Sequence, residues 1–448
     1  MLRNYMLINS MRNLSSIDSL EYINNKAKYF FDCRDYESAI KVYENYSKKY
    51  SIPTSLAVNI AKCYYNNKEI EKALNVLYSL PREAINENIL LDIAVYENAI
   101  GNHDKAYSIL QNILNVKENS KNDDEFISKL KFNIGWHELR RGNFISGFKH
   151  LHEGRKIGIW GTQSIQKICE SKSLHGVGKE WNGKNKVNRL LYVLENGLGD
   201  EFIFFRWCKY LSSKCNQLIV VCHKLNIELF ANVCEYMNLH VKFIVHEELN
   251  EFKEYDEYVL SMSLIPICGE EIHSPKSHIE FPYIVCNENA YIKSKINESG
   301  TKNSIKIGIK LWGNSEYEAD QFRRVPREIF DSLSKYGELY ALHVNEQIIG
   351  INNIYSKLVR NWYDTYTFVN NMNIIVSTCT SIVHFAGAMN KKCIVLVPLI
   401  PYFTWCNEKY NNKNESEWYE SVKVIRQKKY NDWSLVKKEL HDTIKEIL

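Results

Sequence analysis

The hydrophobic pattern of this chain changes near residue 156. Before it, apolar residues recur at helical spacing, and small residues return about every 34 positions. After residue 186, apolar runs of strand length alternate with stretches whose apolar residues recur at helical spacing. The pattern predicts an all-helical part over 1–156, a linker over 157–186 rich in Gly, Ser, Lys and Trp, and an α/β part over 187–448.

The helical part is repetitive. Each copy carries a small residue at two positions, and the pairs are Ala27 and Ala39, Ala61 and Ala73, Ala94 and Ala106, and Gly135 and Gly147. Small residues at fixed positions let paired helices approach closely, so we predict about four stacked helix pairs. An irregular helical bundle is the alternative. Stacked pairs usually form a concave surface that holds a peptide or protein segment, and a surface used only for packing or dimerisation is the other interpretation.

The α/β part is organised around residues 189–206. The apolar run Leu190 to Leu194 predicts a strand, Gly197 and Gly199 predict a turn, and helical spacing begins at Asp200. Asp200 then lies at the carboxyl end of a strand, where open α/β sheets bind ligands. The turn lacks the G-x-G-x-x-G pattern of dinucleotide sites. A plain glycine turn with Asp200 as helix N-cap is the competing interpretation.

Strands and helices alternate through the rest of the chain, which predicts two parallel, doubly wound sheets. We place the boundary near residue 300, so the halves are 187–300 and 301–448. Further strands are predicted at 217–222, 241–245, 258–261, 305–312, 338–344 and 392–398. Helices are predicted at 200–211, 225–237, 364–371 and 433–448, and another helix is predicted to begin within 321–326. Residues 374–384 are predicted to form a strand, a turn and the start of a helix.

The second half offers a site for an anion. Thr378, Thr380 and Ser381 come between a strand and a helix, where hydroxyls can cap the helix and no acidic residue stands nearby in sequence. Lys310, Arg323 and Arg324 can add positive charge there, although the arginines also fit a solvated helix start. His384, one turn further on, is equally compatible with a structural role.

Composition narrows the function classes. The chain has 448 residues with 57 basic and 53 acidic side chains, a net charge of +4 that is too balanced to indicate nucleic acid or an anionic membrane as partner. The twelve cysteines include no C-x-x-C pair, the first sixteen residues lack a continuous signal-peptide core, and no apolar run has the roughly 20 residues of a membrane span. We expect a cytoplasmic protein with reduced thiols and no metal site.

At this point the motifs resemble a known family. Glu195-Asn-Gly-Leu-Gly-Asp200 with Phe204-Phe-Arg206 is similar to the opening "E-x-G-x-G-D … F-x-R" of tetratricopeptide-linked glycosyltransferases, whose catalytic part resembles the family 9 heptosyltransferases of the GT-B fold. Later segments match in order: Gly313-Asn314 with 322–326, Asp364-Thr365, 377–388, and 416–419 with 424–433. The 34-residue period resembles the tetratricopeptide repeat. The implied fold is a tetratricopeptide-like superhelix followed by two Rossmann-like halves.

The resemblance implies transfer of a sugar from a nucleotide-sugar donor, with inversion, to a hydroxyl of a protein held by the repeats. Asp200 matches the family's proposed base. The residues that would bind the nucleotide sugar are Gly197, Gly199, Lys310, Asn314, Arg323, Arg324, Thr380, Ser381 and His384. No Asp-x-Asp pair occurs, so a required divalent metal, or any other cofactor, is not indicated.

One position departs from the family pattern. Cys379 stands where relatives carry Asp before the Thr, and a neutral thiol cannot replace the hydrogen bonds or the charge of that carboxylate. The alternative function is therefore a protein-interaction scaffold with a degenerate, nucleotide-binding transferase domain. The enzyme interpretation requires a crevice in which the Asp200 carboxylate faces the hydroxyl-rich, cationic turn of the second half.

Overall fold

The structure is a computed structural model that describes residues 19–118, 124–160, 179–314, 320–344, 347–406 and 414–448. The first sixteen residues and most of the predicted linker over 157–186 lie outside the described residues. The chain divides into two compact units, 1–120 and 121–448.

The first unit is helical, as predicted. Its described residues form six helices that pack in consecutive pairs: α1 (Leu20–Asp32), α2 (Tyr36–Ser47), α3 (Thr54–Asn66), α4 (Ile70–Tyr78), α5 (Glu87–Ala99) and α6 (His103–Glu118). The predicted small residues are all buried at the helix contacts: Ala27, Ala39, Ala61, Ala73, Ala94 and Ala106.

The repeat is also visible in the backbone. Arg34, Lys68 and Gly101 follow the first helix of each pair, and all three have positive φ angles, of 60°, 66° and 95°. A left-handed residue at this position reverses the chain between two antiparallel helices. The period found in the sequence is therefore a structural period. The tetratricopeptide assignment and a superhelical course remain predictions.

The second unit begins with the fourth predicted pair, α7 (Asp124–Arg140) and α8 (Phe144–Lys156). A Cβ atom on Gly135 would lie 2.9 Å from the Gly147 carbonyl oxygen, so the two helices touch where the sequence places its small residues. Phe148 of α8 packs against Phe204 and Phe403, in one apolar core with the sheets.

The first α/β half contains a parallel five-stranded sheet in the order β1-β5-β2-β3-β4. Its strands are β1 (Lys179–Glu180), β2 (Val187–Val193), β3 (Cys215–Cys222), β4 (Val241–Val245) and β5 (Glu257–Leu260), and its helices are α9 (Leu198–Phe205), α10 (Cys208–Ser213), α11 (Lys224–Tyr236), α12 (Leu264–Ile267) and α13 (Ala290–Ser299). Leu191 and Val193 face one apolar cluster while Leu190 and Tyr192 face another, so both faces of β2 are buried.

The second half repeats this design in the order β10-β9-β8-β6-β7. Its strands are β6 (Lys306–Lys310), β7 (Glu338–Ala341), β8 (Ile374–Thr378), β9 (Cys393–Val397) and β10 (Val422–Arg426), and its helices are α14 (Asp320–Arg323), α15 (Arg327–Asp331), α16 (Ile354–Leu358), α17 (Trp362–Asn370), α18 (Ser381–Ala388) and α19 (Ser434–Ile447).

The predicted fold class is confirmed: a helical N-terminal region is followed by two Rossmann-like halves, the α/β arrangement of GT-B proteins. Four details were wrong. β1 lies inside the predicted linker over 157–186, and β10 was not predicted as a strand. The helix predicted over 200–211 is broken after Phe205, because the Arg206 side chain turns back to bond the Ile203 carbonyl at 2.7 Å. The helix expected to open at 321–326 is two short helices, and Pro326 is the residue that precedes the second. No helix in the described part of the chain is long and apolar enough to cross a membrane.

The strand orders locate the crevices where α/β sheets bind ligands. In the first sheet the direction of winding reverses between β2 and β5, and in the second it reverses between β6 and β8. Ligands bind beyond the carboxyl ends of the strands at such switch points. The turns after β2 and β8, which the sequence singled out, both lie at these points.

Candidate functional site

The turn after β2 places Asp200 inside helix α9 rather than at its cap. Gly197 is the N-cap residue, with extended backbone angles, and Asp200 is the third residue of the helix. Its carboxylate accepts the Gly197 N–H at 3.2 Å, as the third residue of a capping box does. The interpretation of Asp200 as a simple N-cap is therefore wrong.

Glu195, at the start of this turn, has a structural role. Its carboxylate is fully buried and forms an ion pair with Arg155 of α8 at 2.5 Å. The Met262 N–H donates to its other oxygen at 2.8 Å, and Ser261 bonds both its backbone N–H and its carboxylate. Because a buried charge is stable only when it is paired and hydrogen-bonded, these contacts fix the backbone before Asp200.

Glu201, next to Asp200, also has a structural environment. It is buried and accepts the His223 N–H at 2.8 Å and the Asn226 amide at 2.6 Å. His246 lies 3.1 Å from the same carboxylate. Glu201 therefore joins α9 to the segments after β3 and β4.

Asp200 differs from both neighbouring carboxylates. It is partly exposed and accepts a hydrogen bond of 2.6 Å from the Tyr402 hydroxyl, which belongs to the second half. Burial raises the pKa of Asp200 to about 6, and the bonds from Tyr402 and Gly197 oppose that rise. A carboxylate with this pKa is a stronger base than an ordinary aspartate.

The turn after β8 is rich in hydroxyls, but they do not cap helix α18 as predicted. Thr380 is the N-cap residue, yet its hydroxyl lies 3.1 Å from that of Ser377 and makes no capping bond. The Thr378 hydroxyl is buried without a hydrogen-bond partner among the described residues. The helix thus presents its N-terminus without a side-chain cap, at partly exposed Ser381.

The predicted arginines are present beside this turn, together with an acid that the sequence argument did not expect. Arg323 donates to the Cys379 carbonyl at 2.8 Å and to the Asn314 carbonyl at 3.4 Å. Buried Asp320 accepts Arg323 at 2.9 Å and Arg324 at 2.7 Å. The turn itself contains no acidic residue, as the sequence shows, but Asp320 from a distant segment offsets part of the positive charge of the arginines.

Lys310 and His384 occupy different environments. Lys310 ends β6, is partly exposed, and stands beside Ser377 in the sheet register. His384 is buried, stacks on Trp405 with ring centroids 4.7 Å apart, and lies 3.2 Å from the Tyr419 hydroxyl. Burial lowers the pKa of His384 to about 3, so its ring is neutral.

The two turns meet. A Cβ atom on Gly199 would lie 3.4 Å from the Ser381 Cα and 3.2 Å from His384 Cδ2, and Phe202 packs on Phe385 with centroids 5.0 Å apart. On the other side, a Cβ on Gly313 would lie 3.1 Å from Thr380 Cγ2 and in contact with Arg323. We call this set the helix-terminus cluster: Gly197, Gly199, Asp200, Gly313, Asn314, Arg323, Thr380, Ser381, His384 and Tyr402.

Cys379 is enclosed at the base of the cluster. The Trp405 indole N–H donates to its sulfur at 3.1 Å, and burial raises the pKa of the thiol. The position therefore carries a neutral group. Within the described residues, no set of three or more His, Cys, Asp or Glu side chains is placed to hold a metal ion, and metal independence remains a prediction.

A separate cavity of about 500 Å³ lies at the other end of α9. Its lining includes Arg206, Lys209, Tyr210, His278 and Glu280, with Lys209 and Glu280 paired at 2.9 Å. Neither Asp200 nor a residue of the turn after β8 lines it. The cavity is therefore separate from the helix-terminus cluster.

Sequence reasoning missed three residues of the site: Arg155, Asp320 and Tyr402. Arg155 stands in a helical stretch with no motif, and Asp320 in a polar segment with no motif. Tyr402 follows the carboxyl end of β9, and this position at the binding edge of a parallel sheet is the signal that was available.

Comparisons with known proteins add fold likenesses only. No protein-family model matches the chain, and no curated protein matches it. Among solved structures, Escherichia coli ADP-heptose lipopolysaccharide heptosyltransferase II is similar over 58% of this chain and 99% of its own, at 13% identity and a TM-score of 0.38. A family 9 glycosyl transferase from Veillonella parvula is similar over 60% and 92%, at 10% identity and 0.40. A mutant O-GlcNAc transferase from Thermobaculum terrenum is similar over 97% and 94%, at 9% identity and 0.33. At these TM-scores the likenesses say nothing about what this chain binds.

Proposed function

We propose that this protein is a glycosyltransferase that moves a sugar from a nucleotide-sugar donor to an acceptor hydroxyl, with inversion at the anomeric carbon. The observation that carries the proposal is the position of Asp200. This partly exposed carboxylate with a raised pKa directly follows Gly199, which lies against the uncapped N-terminus of α18 where the two α/β switch points meet.

In the proposed reaction Asp200 is the general base. The acceptor oxygen forms a bond to the anomeric carbon while its proton passes to the Asp200 carboxylate. The bond between that carbon and the donor's phosphate oxygen breaks, and its electron pair leaves with the nucleotide diphosphate. A base with a pKa of about 6 is largely ionised at neutral pH and still accepts a proton readily.

The leaving diphosphate gains negative charge, and the turn after β8 is suited to stabilise it. The free N–H groups and dipole of an uncapped helix terminus attract anions. Arg323, Arg324 and Lys310 would add positive charge, reduced by Asp320. These groups would stabilise the transition state without a metal ion.

We further propose that the acceptor is a protein segment bound by helices α1–α6. The support is the regular 34-residue packing of these helices in the same chain as the α/β halves. The test is a truncation that removes residues 1–120 and keeps α7 and α8, because Arg155 pairs with Glu195. We expect donor hydrolysis to survive and transfer to a protein acceptor to be lost; unchanged protein transfer would refute this part.

The main experiment is a panel of nucleotide sugars incubated with the full chain, with thermal stabilisation and sugar release measured for each. The informative variant is Asp200→Asn, which keeps the shape of the side chain and removes the base. We expect turnover to fall by about 10²–10⁴ with donor binding retained. Asp331→Asn is the control, since Asp331 forms an exposed pair with Arg327. Full turnover in Asp200→Asn would remove Asp200 from its role.

A second candidate is a scaffold whose α/β part binds a nucleotide without turnover. The observation in its favour is Cys379, a buried neutral thiol bonded to Trp405 where the family pattern has a carboxylate. This alternative predicts stabilisation by nucleotides in the same panel with no sugar released.

A reducing, cytoplasm-like compartment fits the thiols. The described part of the chain contains eleven free cysteines, nine of them buried, and no disulfide. Buried thiols of this kind are usual in proteins that work where disulfides are rare.

A further inference from the structure

Tyr402 joins the two halves at the proposed base. It lies in the segment after β9, which ends at Val397, and its hydroxyl donates to Asp200 Oδ1 at 2.6 Å. This length is typical of a hydroxyl bonded to a carboxylate, a class of hydrogen bond about twice as strong as a neutral one. Tyr402 is the direct polar link between the β9–β10 side of the second half and Asp200.

The tyrosine ring is held in place by other rings. Its centroid lies 4.5 Å from that of Phe403, 5.9 Å from Trp136 of α7 and 6.4 Å from His384. Contacts on several sides restrict rotation of the ring, so the hydroxyl has a fixed position relative to Asp200.

The carboxylate is held at both oxygens. Oδ1 accepts from Tyr402 and Oδ2 accepts from the Gly197 N–H at 3.2 Å. Each oxygen of an ionised carboxylate accepts about two hydrogen bonds, so one direction on each oxygen remains for an acceptor hydroxyl. The plane of the carboxylate is fixed by these two bonds.

We infer that Tyr402 is a positioning residue for the proposed base: it orients the Asp200 carboxylate and keeps it ionised, and it does so from the opposite half. The inference rests on the proposed function. Tyr402 keeps its proton throughout the reaction. The base is complete only while the two halves have this arrangement, so the half that would bind the donor also prepares the base for the acceptor.

The Gly197 N–H also lowers the pKa of Asp200, but it belongs to the same half, and the neighbouring side chains do not supply this effect. Glu195 and Glu201, from its own half, both raise the pKa of Asp200. From the second half, His384 is neutral and the raised pKa of Cys379 keeps that thiol uncharged. Tyr402 is the side chain that lowers the pKa of Asp200.

The test is Tyr402→Phe, which removes only the hydroxyl. Without it the pKa of Asp200 rises above about 6, and we expect a rise of about one pH unit. The acid limb of kcat/KM moves upward by the same amount, so that transfer falls about fivefold at pH 6 and changes little at pH 8. Tyr355→Phe is the matched control, since Tyr355 is a buried tyrosine of the second half that bonds Thr365 at 3.0 Å.

A second readout does not depend on transfer. Selective ¹³C labelling of aspartate carboxyls, with the Asp200 signal assigned from Asp200→Asn, reports its titration directly in the full chain. A higher midpoint of the Asp200 titration in Tyr402→Phe than in the native protein, with an unchanged midpoint in Tyr355→Phe, supports the inference. An unchanged midpoint in Tyr402→Phe overturns it, whatever the activity. If the native protein transfers no sugar from any donor, the proposed function fails, and the titration still decides the role of Tyr402.

Discussion

The turns after β2 and β8 have the same strand–turn–helix backbone but opposite electrostatic environments. In both, a buried parallel strand ends at a switch point and an eight-residue helix begins within a few residues. The first turn carries three carboxylates and two glycines, whereas the second carries hydroxyls with two arginines nearby. The helices that follow pack against each other, so an acidic and a basic turn face one another.

The comparison shows that residue type alone does not distinguish the proposed base from its neighbours. Glu195 and Glu201 are as acidic as Asp200, but each is buried among donors that satisfy it. Asp200 alone of the three is partly exposed and bonded across the two halves. A carboxylate becomes available for chemistry when the fold fixes its neighbours and leaves it in an intermediate environment.

Arg155→Ala should cause the largest change, a loss of unfolding free energy. The change leaves Glu195 buried without its cationic partner, which typically costs about 3–5 kcal/mol of unfolding free energy. Urea unfolding monitored by tryptophan fluorescence measures it.

The control for this prediction is a double variant that carries both Arg155→Met and Glu195→Gln. Removing both charges avoids an unpaired buried ion, so the double variant should lose less stability than Arg155→Ala. A loss below about 1 kcal/mol in Arg155→Ala would mean that Glu195 does not depend on the pair.

The contacts of Glu195 also show where sequence reasoning stops. Periodicity identified eight of the ten described strands, the two turns and the 34-residue period, because each is a local property of the pattern. The Arg155–Glu195 pair joins positions 40 apart and the Tyr402–Asp200 bond positions 202 apart. Such partners depend on tertiary packing, and nothing in the local pattern specifies them.

The same limit explains the errors at element boundaries. Apolar spacing continues from Asp200 to Leu211, and it predicts one helix. The break after Phe205 comes from Arg206, whose guanidinium reaches the Pro275 carbonyl at 2.7 Å and five surrounding aromatic rings. The helix ends because a tertiary site needs that side chain, not because the sequence lacks helical spacing.

A smaller effect should separate the two glycines of the first turn. In Gly199→Val the new side chain meets the Ser381 backbone and the His384 ring, and such overpacking costs about 1–3 kcal/mol. In Gly197→Val the added Cβ has only Asp200 Oδ2 as a neighbour, at 3.7 Å, and the extended backbone accepts a branched residue. We expect Gly197→Val to lower the free energy of unfolding by no more than about 1 kcal/mol. Equal losses in thermal unfolding would contradict the direct contact between the turns.

Asp200→Asn should make the protein more stable, in a pH window set by the raised pKa. The native carboxylate binds its proton more tightly than the unfolded one, so native stability falls as pH rises from about 4 to about 6. Asparagine does not ionise and escapes this loss. We expect a gain of about 1–2 kcal/mol above pH 6, discounted because Asp200 is partly exposed, and none below pH 4. Urea unfolding at pH 4 and pH 8 measures the difference, and a gain independent of pH would point to another cause.

The smallest effect should distinguish the arginines of the second turn, which share Asp320. The Arg323 side chain is 14% exposed and bonds the Cys379 carbonyl beside the N-terminus of α18, whereas that of Arg324 is 58% exposed and extends toward solvent. Arg323→Met should weaken binding of a nucleoside diphosphate about fivefold, and Arg324→Met less than twofold, because a charge held near the ligand is screened less. Calorimetric titration with ADP, UDP and GDP measures both. The larger effect should also shrink with added salt, since it is electrostatic. If the two variants bind alike at low salt, the anion does not sit at the turn after β8, and the two turns do not share one ligand.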